Sequence, residues 1–354
     1  MSSRRGLRVV VIGATGNVGT SAVSALGAIP DVETVMAVAR RPTEWTSPKT
    51  TFVTADAATD DLRPVIRGAD AVIHLAWLFQ PSRKPAVTWN NNVLGALRVF
   101  DAVAAERVPA LVYASSVAAY SPGPTDLKVT EDWPTHGWPG AAYPREKAYL
   151  ERRLDAYEVR NSGIRVVRMR PGFIFKRESA TSQRRLFGGP LVPGSLARPA
   201  AMPAVPLPDE LRVQILHTDD AAAAYVQAVL RPVHGAYNLA TDPPVDRQFL
   251  GRLLPSTPGA DFRGDTAGSS RRRLARAAGA GHARTHRDRS ASAADGQHPR
   301  ADRTGLVTCP HPTRHLHRIP RRPTVGQRPA HRPLADDAAR RRWHEIATGV
   351  GRVP

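Results

Sequence analysis

Val9-Val10-Val11-Ile12-Gly13-Ala14-Thr15-Gly16-Asn17-Val18-Gly19 decides the fold of this chain. Four β-branched residues in succession read as a strand buried on both faces. Three glycines at a spacing of three follow directly, and a helix is predicted over 17–26. Gly13 permits a sharp turn, Gly16 lets backbone approach a pyrophosphate with no Cβ in the way, and Gly19 lets the helix pack close to the strand. The helix start, with Thr15, Asn17 and Val18 at the turn, then offers unpaired N–H groups and the positive end of its dipole to phosphates. The competing reading is a glycine-rich turn that holds nothing.

Outward from that turn, short apolar runs alternate with longer amphipathic stretches as far as about residue 240, the pattern of a doubly wound parallel α/β sheet covered by helices. Strands are expected at 7–12, 34–39, 51–54, 71–75, 110–114 and 164–168, and further helices at 88–106 and 142–160. Six strands with right-handed crossovers complete a dinucleotide-binding (Rossmann) sheet. Beyond Pro171 a Pro- and Gly-rich stretch, 188–208, precedes a strand-like 213–216 and a helix-like 219–230. The expected organisation is a nucleotide-binding domain over 1–172, a smaller irregular substrate lobe over 173–254 from which some segments return to the first domain, and a basic tail over 255–354.

The bulk composition narrows the class. No run of about 18 apolar residues exists, so no membrane span is expected. Arg4 and Arg5 precede an apolar run as in a signal peptide, but the run ends at Gly13, which argues against secretion. Cys309 is the single cysteine, which rules out an intrachain disulfide and suits a reducing cytoplasm. The net charge of +19 is concentrated late: residues 251–354 carry 21 Arg, no Lys and 8 acidic residues. Only 14 of those 104 residues are Ile, Leu, Val, Met, Phe, Tyr or Trp, too few for a core, so the tail is expected to be disordered. Its wealth of Arg, Ala, Pro, Gly and His also fits an out-of-frame translation of a high-GC gene, which would leave the substrate lobe incomplete. Nucleic-acid binding through this tail is a weaker reading, because it holds only Trp343 and Phe262 as interleaved aromatics.

About twenty residues past the glycine turn, where an NAD site places a carboxylate on the ribose, stands Ala39-Arg40-Arg41. A guanidinium can pair with a 2′-phosphate, so NADP is favoured over NAD, the alternative being a solvated loop. Further on come Ala55-Asp56-Ala57, His74-Leu75-Ala76, Ser115-Ser116 and Tyr143-Pro144-Arg145-Glu146-Lys147, then Arg170-Pro171-Gly172 and His217-Thr218-Asp219-Asp220. In this order, from about Leu7 to Asp242, the chain resembles the extended short-chain dehydrogenase/reductase family, also called NAD-dependent epimerase/dehydratases. The resemblance implies a bound dinucleotide and a substrate cleft formed with the smaller lobe. It implies that Asp56 and Ala57 face the adenine, that Leu75, Ala76 and Trp77 line the cofactor with Pro171, and that Asn91 or Asn92, taken as Asn92, lies beneath it. It further suggests a homodimer built on the helices at 88–106 and 142–160.

Hydride transfer at a carbinol carbon needs a group that moves the hydroxyl proton, and a phenol with its ordinary pKa of about 10 must be tuned for that. Tyr143 and Lys147 are four apart on one helix face, where an ammonium would favour the phenolate. The resemblance gives Lys147 the nicotinamide ribose as well. Ser116, 27 residues before Tyr143, is the hydroxyl expected to orient the substrate oxygen, because in the family's pattern that residue precedes three others and a Tyr, here Tyr120. Ser115 is the fallback. The competing reading is an ordinary helix pair. His74 reads as a strand-end packing residue, and His217 and Asp220 as hinge or helix-capping groups.

Family dehydratases carry Asp-Glu after the hydroxyl residue, whereas Val117-Ala118 follow Ser116 and cannot exchange protons. The expectation is therefore an NAD(P)-dependent oxidoreductase acting on a small alcohol, carbonyl or sugar substrate. A nucleotide-sugar epimerase with permanently bound NAD is the alternative. A dinucleotide-sensing regulator ranks lower, since sensors of this fold lack the Tyr and Lys. No metal site is expected. Substrate identity falls to the loops 78–88, 131–142 and 176–207, in which Trp133 and Trp138 hint at a ring-stacking pocket.

Overall fold

The structure, a computed structural model, describes residues 6–79, 84–123, 128–179 and 211–253. Residues 180–210 and 254–354, with Cys309, lie outside the described residues. In chain order the elements are β1 (Leu7–Ile12), α1 (Asn17–Gly27), β2 (Val32–Ala39), β3 (Thr50–Thr54), α2 (Arg63–Ile66) and β4 (Ala71–His74). Then follow α3 (Pro85–Thr88), a π-helical turn Trp89–Leu94, α4 (Gly95–Ala105), β5 (Ala110–Ala114), α5 (Ala142–Arg160) and β6 (Arg165–Pro171). The last stretch holds β7 (Phe173–Phe175), β8 (Arg212–Val213), β9 (Ile215–His217), α6 (Thr218–Leu230), β10 (Gly235–Leu239), β11 (Val245–Asp246) and α7 (Arg247–Leu253).

Seven strands form one parallel sheet in the order β10-β6-β5-β4-β1-β2-β3. The order reverses between β1 and β4, which opens a crevice at their carboxyl ends, where ligands of such sheets bind. Alternate strand residues feed two cores. Val10, Ile12, Val72, Leu111 and Val166 pack with Val99, Phe100 and Val103 of α4 and Leu150 and Leu154 of α5. Val9, Val11, Ile73, Val112 and Val167 pack on the other face with Val23 and Leu26 of α1 and Tyr225 and Val226 of α6. Burial on both faces explains why β1 reads as an unbroken apolar run rather than an alternating one.

Four expectations are corrected. The sheet has a seventh strand, β10, whose residues are all half-buried at the sheet edge and so carry no strong apolar signal. The strand expected at 164–168 continues to Pro171, because β10 pairs with it from Val167 to Pro171. The strand-like 213–216 divides into β8 and β9, which pair with β11 and with the unforeseen β7 in two small sheets. The long helix expected at 88–106 begins three residues earlier and passes through the π-helical turn, an insertion that recurs at functional sites. No helix among the described residues is long and apolar enough to cross a membrane.

Candidate active site

The glycines of the turn do three different jobs. Gly13 has φ +89°, and a Cβ there would lie 2.6 Å from the amide nitrogen of Ala76, so β1 can turn only if the residue lacks a side chain. A Cβ on Gly19 would lie 2.1 Å from the carbonyl oxygen of Gly13, which is the close packing of helix on turn. A Cβ on Gly16 would meet only that oxygen, at 3.2 Å, so the glycine there leaves a cradle that one methyl group would fill. Gly13 and Ala14 donate their N–H groups to the Val38 carbonyl, which ties the turn to the end of β2. Gly16 caps α1 without any side-chain bond, and no acidic residue sits in the first turn. Thr15 and Gly16 are exposed at the tip, with Val18 half-buried. An uncapped helix start beside an open glycine fits the diphosphate of a dinucleotide.

Tyr143 and Lys147 share the inner face of α5, and Ser116 follows β5. The three come together as the spacing implied, but the electrostatics differ. Burial raises the Tyr143 pKa above its ordinary value, with the Ser116 hydroxyl pulling the other way. The Lys147 ammonium donates to the Ala114 carbonyl at 2.6 Å, lies 3.4 Å from the centre of the Trp77 ring and 5.8 Å from the centre of the Tyr143 ring. Burial drives its pKa well below the usual lysine range, while Glu151 and Glu146 partly restore it. The phenol at rest is thus a neutral acid in an aromatic setting. Of the two serines, Ser115 donates to the buried carboxylate of Glu151 at 2.5 Å, which leaves Ser116 as the hydroxyl that meets Tyr143.

Other positions singled out from the sequence distribute unevenly. Leu75, Ala76 and Trp77 follow β4 directly, with Ala76 against Gly13 and Trp77 edge-on to Tyr143. Arg40 and Arg41 are exposed past the end of β2, and Arg40 reaches the Asn91 side chain at 3.4 Å. Asp56 accepts the Ala58 N–H and so shapes its own turn, while Ala57 is buried beneath Gly95. Asn17 bridges outward, donating to the Ile174 carbonyl and accepting from Thr218. Pro171 ends β6 buried. Asn92 is fully committed within the protein: it accepts the Leu78 N–H at 2.7 Å and donates to the Leu78 carbonyl and to Glu146. His74 is packed between Phe100 and Tyr113, and burial lowers its pKa to about 3, so it stays neutral. His217 caps α6 by accepting the Asp219 N–H, and Asp220 lies in that first turn.

Several functional neighbours escaped the sequence reading. Glu146 is buried and accepts from Thr88 and Asn92, both at 2.8 Å. Glu151, likewise buried, accepts two parallel bonds from Arg170 at 2.9 Å each and one from Arg168 at 3.2 Å. Arg170 also donates to the Tyr120 hydroxyl and to the Glu131 carbonyl. A charged residue four past Lys147 on the same helix face was the available signal for Glu151.

Residues 9–240 match the model of the NAD dependent epimerase/dehydratase family. The chain belongs to that family. Among the relatives of this chain, an uncharacterized protein of Mycobacterium tuberculosis is 28% identical over 197 residues, 54% of this chain and 50% of that protein. The chain spans about half the length of the first curated relatives it matches. UDP-glucose 4-epimerase of Corynebacterium glutamicum is 33% identical over 93 residues, 25% of this chain and 27% of that one. Among solved structures, UDP-glucose 4-epimerase of Thermus thermophilus in complex with NAD superposes with a TM-score of 0.57 at 23% identity, covering 70% of this chain and 82% of that one. At that identity the likeness speaks for the fold.

Proposed function

We propose that this epimerase/dehydratase family member is an NAD(P)-dependent oxidoreductase that reduces a small carbonyl compound to its alcohol, or runs the reverse reaction. The observation that carries the reading is the meeting of Tyr143, Ser116 and Lys147 at the carboxyl ends of β4 and β5, next to the glycine turn. The turn from Gly13 to Gly19 and the start of α1 would hold the diphosphate, Leu75 to Trp77 the body of the dinucleotide, and Lys147 the nicotinamide ribose. When bound, a dinucleotide would supply the hydride for the carbonyl carbon and would itself be oxidised.

The chain's own residues manage the oxygen. Ser116 donates to the carbonyl oxygen and fixes it against the Tyr143 phenol. As the C=O double bond becomes a single bond, Tyr143 gives that oxygen its proton and afterwards takes one back from water. A phenol kept neutral by burial is already in the form the reductive direction needs. Reduction is therefore expected to be insensitive to this group through neutral pH and to fall only when alkali ionises it. Arg40 and Arg41, with no carboxylate beside them in sequence, support NADP over NAD through pairing with a 2′-phosphate.

The test is titration with NADPH and NADH followed by a carbonyl screen with a Tyr143→Phe control. Consumption of NADPH that vanishes in the control supports the reading, and Arg40→Ser is expected to weaken NADPH more than NADH. The similarity to UDP-glucose 4-epimerases favours a second reading, a nucleotide-sugar epimerase that recycles bound NAD. That reading gains if UDP-sugars are interconverted with no net consumption of dinucleotide.

A further inference from the structure

The Tyr143 ring lies between two other aromatic rings. Phe79 stacks on Tyr143 with centroids 5.4 Å apart and an interplanar angle of 26°, while Trp77 meets the same ring edge-on at 5.4 Å. Phe79 keeps 50% of its surface exposed while it stacks on Tyr143. The segment bearing both rings is anchored. Leu78, between them, has its N–H and its carbonyl bonded to the Asn92 amide at 2.7 and 2.9 Å. Asn92 is held in turn by Glu146 at 2.8 Å, and Glu146 also accepts from Thr88. Asn92, Glu146 and Thr88 are all buried, so the anchor is shielded from competition by water. The π-helical turn Trp89–Leu94 contains Asn92, the residue whose amide makes this link. A half-exposed ring on an anchored segment is a preformed wall rather than an adaptable loop.

We propose that this wall selects a carbonyl or carbinol carbon bearing a flat aromatic or conjugated group, which stacks on Phe79 while its oxygen meets Ser116 and Tyr143. The inference rests on the oxidoreductase reading above and adds the substrate class. Offset stacking of two rings suits the quadrupoles of both and is worth more than the burial of equal apolar area. A polyhydroxylated substrate needs convergent donors and acceptors. Among the described residues, Trp77 and Phe79 set rings against the Tyr143 ring, Ser116 is its hydroxyl partner, and the Lys147 ammonium lies 5.8 Å from its centre, held by the Ala114 carbonyl, so the wall itself is apolar. Hydroxyls buried against such a surface would lose their water without replacement.

The experiment uses the full chain and three ketones: acetophenone, cyclohexyl methyl ketone of the same carbon count, and dihydroxyacetone. Acetophenone is expected to have a kcat/KM roughly 3–10-fold above the cyclohexyl compound, the worth of one stacked ring. Phe79→Ala is expected to erase that ratio without changing dinucleotide affinity, and Phe79→Tyr to restore it. Binding of 1-phenylethanol, followed by saturation-transfer NMR with the reduced dinucleotide bound, reads the wall without turnover. Binding that depends on Phe79 in an inactive enzyme supports the wall and sinks only the oxidoreductase reading. Reduction of all three ketones with no aryl preference, or 1-phenylethanol binding unmoved by Phe79→Ala, overturns the wall alone. Absence of both turnover and 1-phenylethanol binding overturns it too.

Discussion

Removing the Glu151 carboxylate is expected to be among the most damaging single changes to this fold. Glu151 has no exposed surface, and its partner Arg170 is nearly as buried. The two arginines on Glu151 depend on it unequally: Arg168 keeps Asp155 at 2.6 Å and Glu158 at 2.7 Å, so it survives the loss of Glu151 with its charge compensated. Arg170 has no second carboxylate among the described ion pairs, only the Tyr120 hydroxyl and the Glu131 carbonyl. Glu151→Ala therefore strands one buried cation, which costs about 3 kcal/mol, the low end of the range for breaking a buried pair from one side. The orphaned Ser115 hydroxyl adds about 1 kcal/mol. A loss of about 4 kcal/mol should lower Tm by roughly 8–16 °C. Urea denaturation would show a shifted midpoint at unchanged slope. The double change Glu151→Met with Arg170→Met should recover most of the loss, since both charges leave together. A single-variant cost below about 1 kcal/mol, or a double variant less stable than the single, would refute the reasoning.

Three more predictions concern the site and its supports. Gly16→Ala should fold like the parent, because its Cβ meets only one oxygen at 3.2 Å, yet lose dinucleotide binding; Gly19→Ala should cost about 1–3 kcal/mol of stability, which paired titration and urea curves would separate. Tyr143→Phe and Ser116→Ala should each slow turnover by roughly 10²–10⁴-fold, whereas Ser115→Ala should act mainly on stability, so single-turnover kinetics beside melting curves distinguishes the two serines. His74 has a folded-state pKa of about 3 against its ordinary 6.5, so the unfolded chain binds the extra proton between those values. Stability is thus fully present above pH 6.5 and should fall as acid is added, by up to about 1.4 kcal/mol per pH unit. His74→Phe should flatten that slope, and an unchanged slope in the variant would count against the assignment.

The sheet and its ligand crevice were legible because they rest on local rules. A run of β-branched residues wants burial on both sides, and glycine alone tolerates the positive φ of Gly13 and the backbone contact at Gly19. Helical spacing likewise placed Tyr143 and Lys147 on one face of α5, and the helix runs over the residues expected, Ala142–Arg160. By contrast, β10 is short, half-buried and contains Asn238, so it declares itself only through pairing with β6. Glu146 and Glu151 lie in a stretch thick with Arg and Glu that reads as a solvated surface, and only the packing of α5 against the sheet and α4 puts them inside. The state of the phenol was likewise a matter of tertiary structure. Four residues along a helix bring an ammonium to the right face, but Trp77 and the Ala114 carbonyl, from two different strand ends, draw it aside. Sequence period determines which way a side chain leaves its element, and that was enough for the fold. What the side chain meets there depends on residues 33 or 64 positions away, as with Ala114 and Lys147 or Phe79 and Tyr143, and only the closed chain decides that.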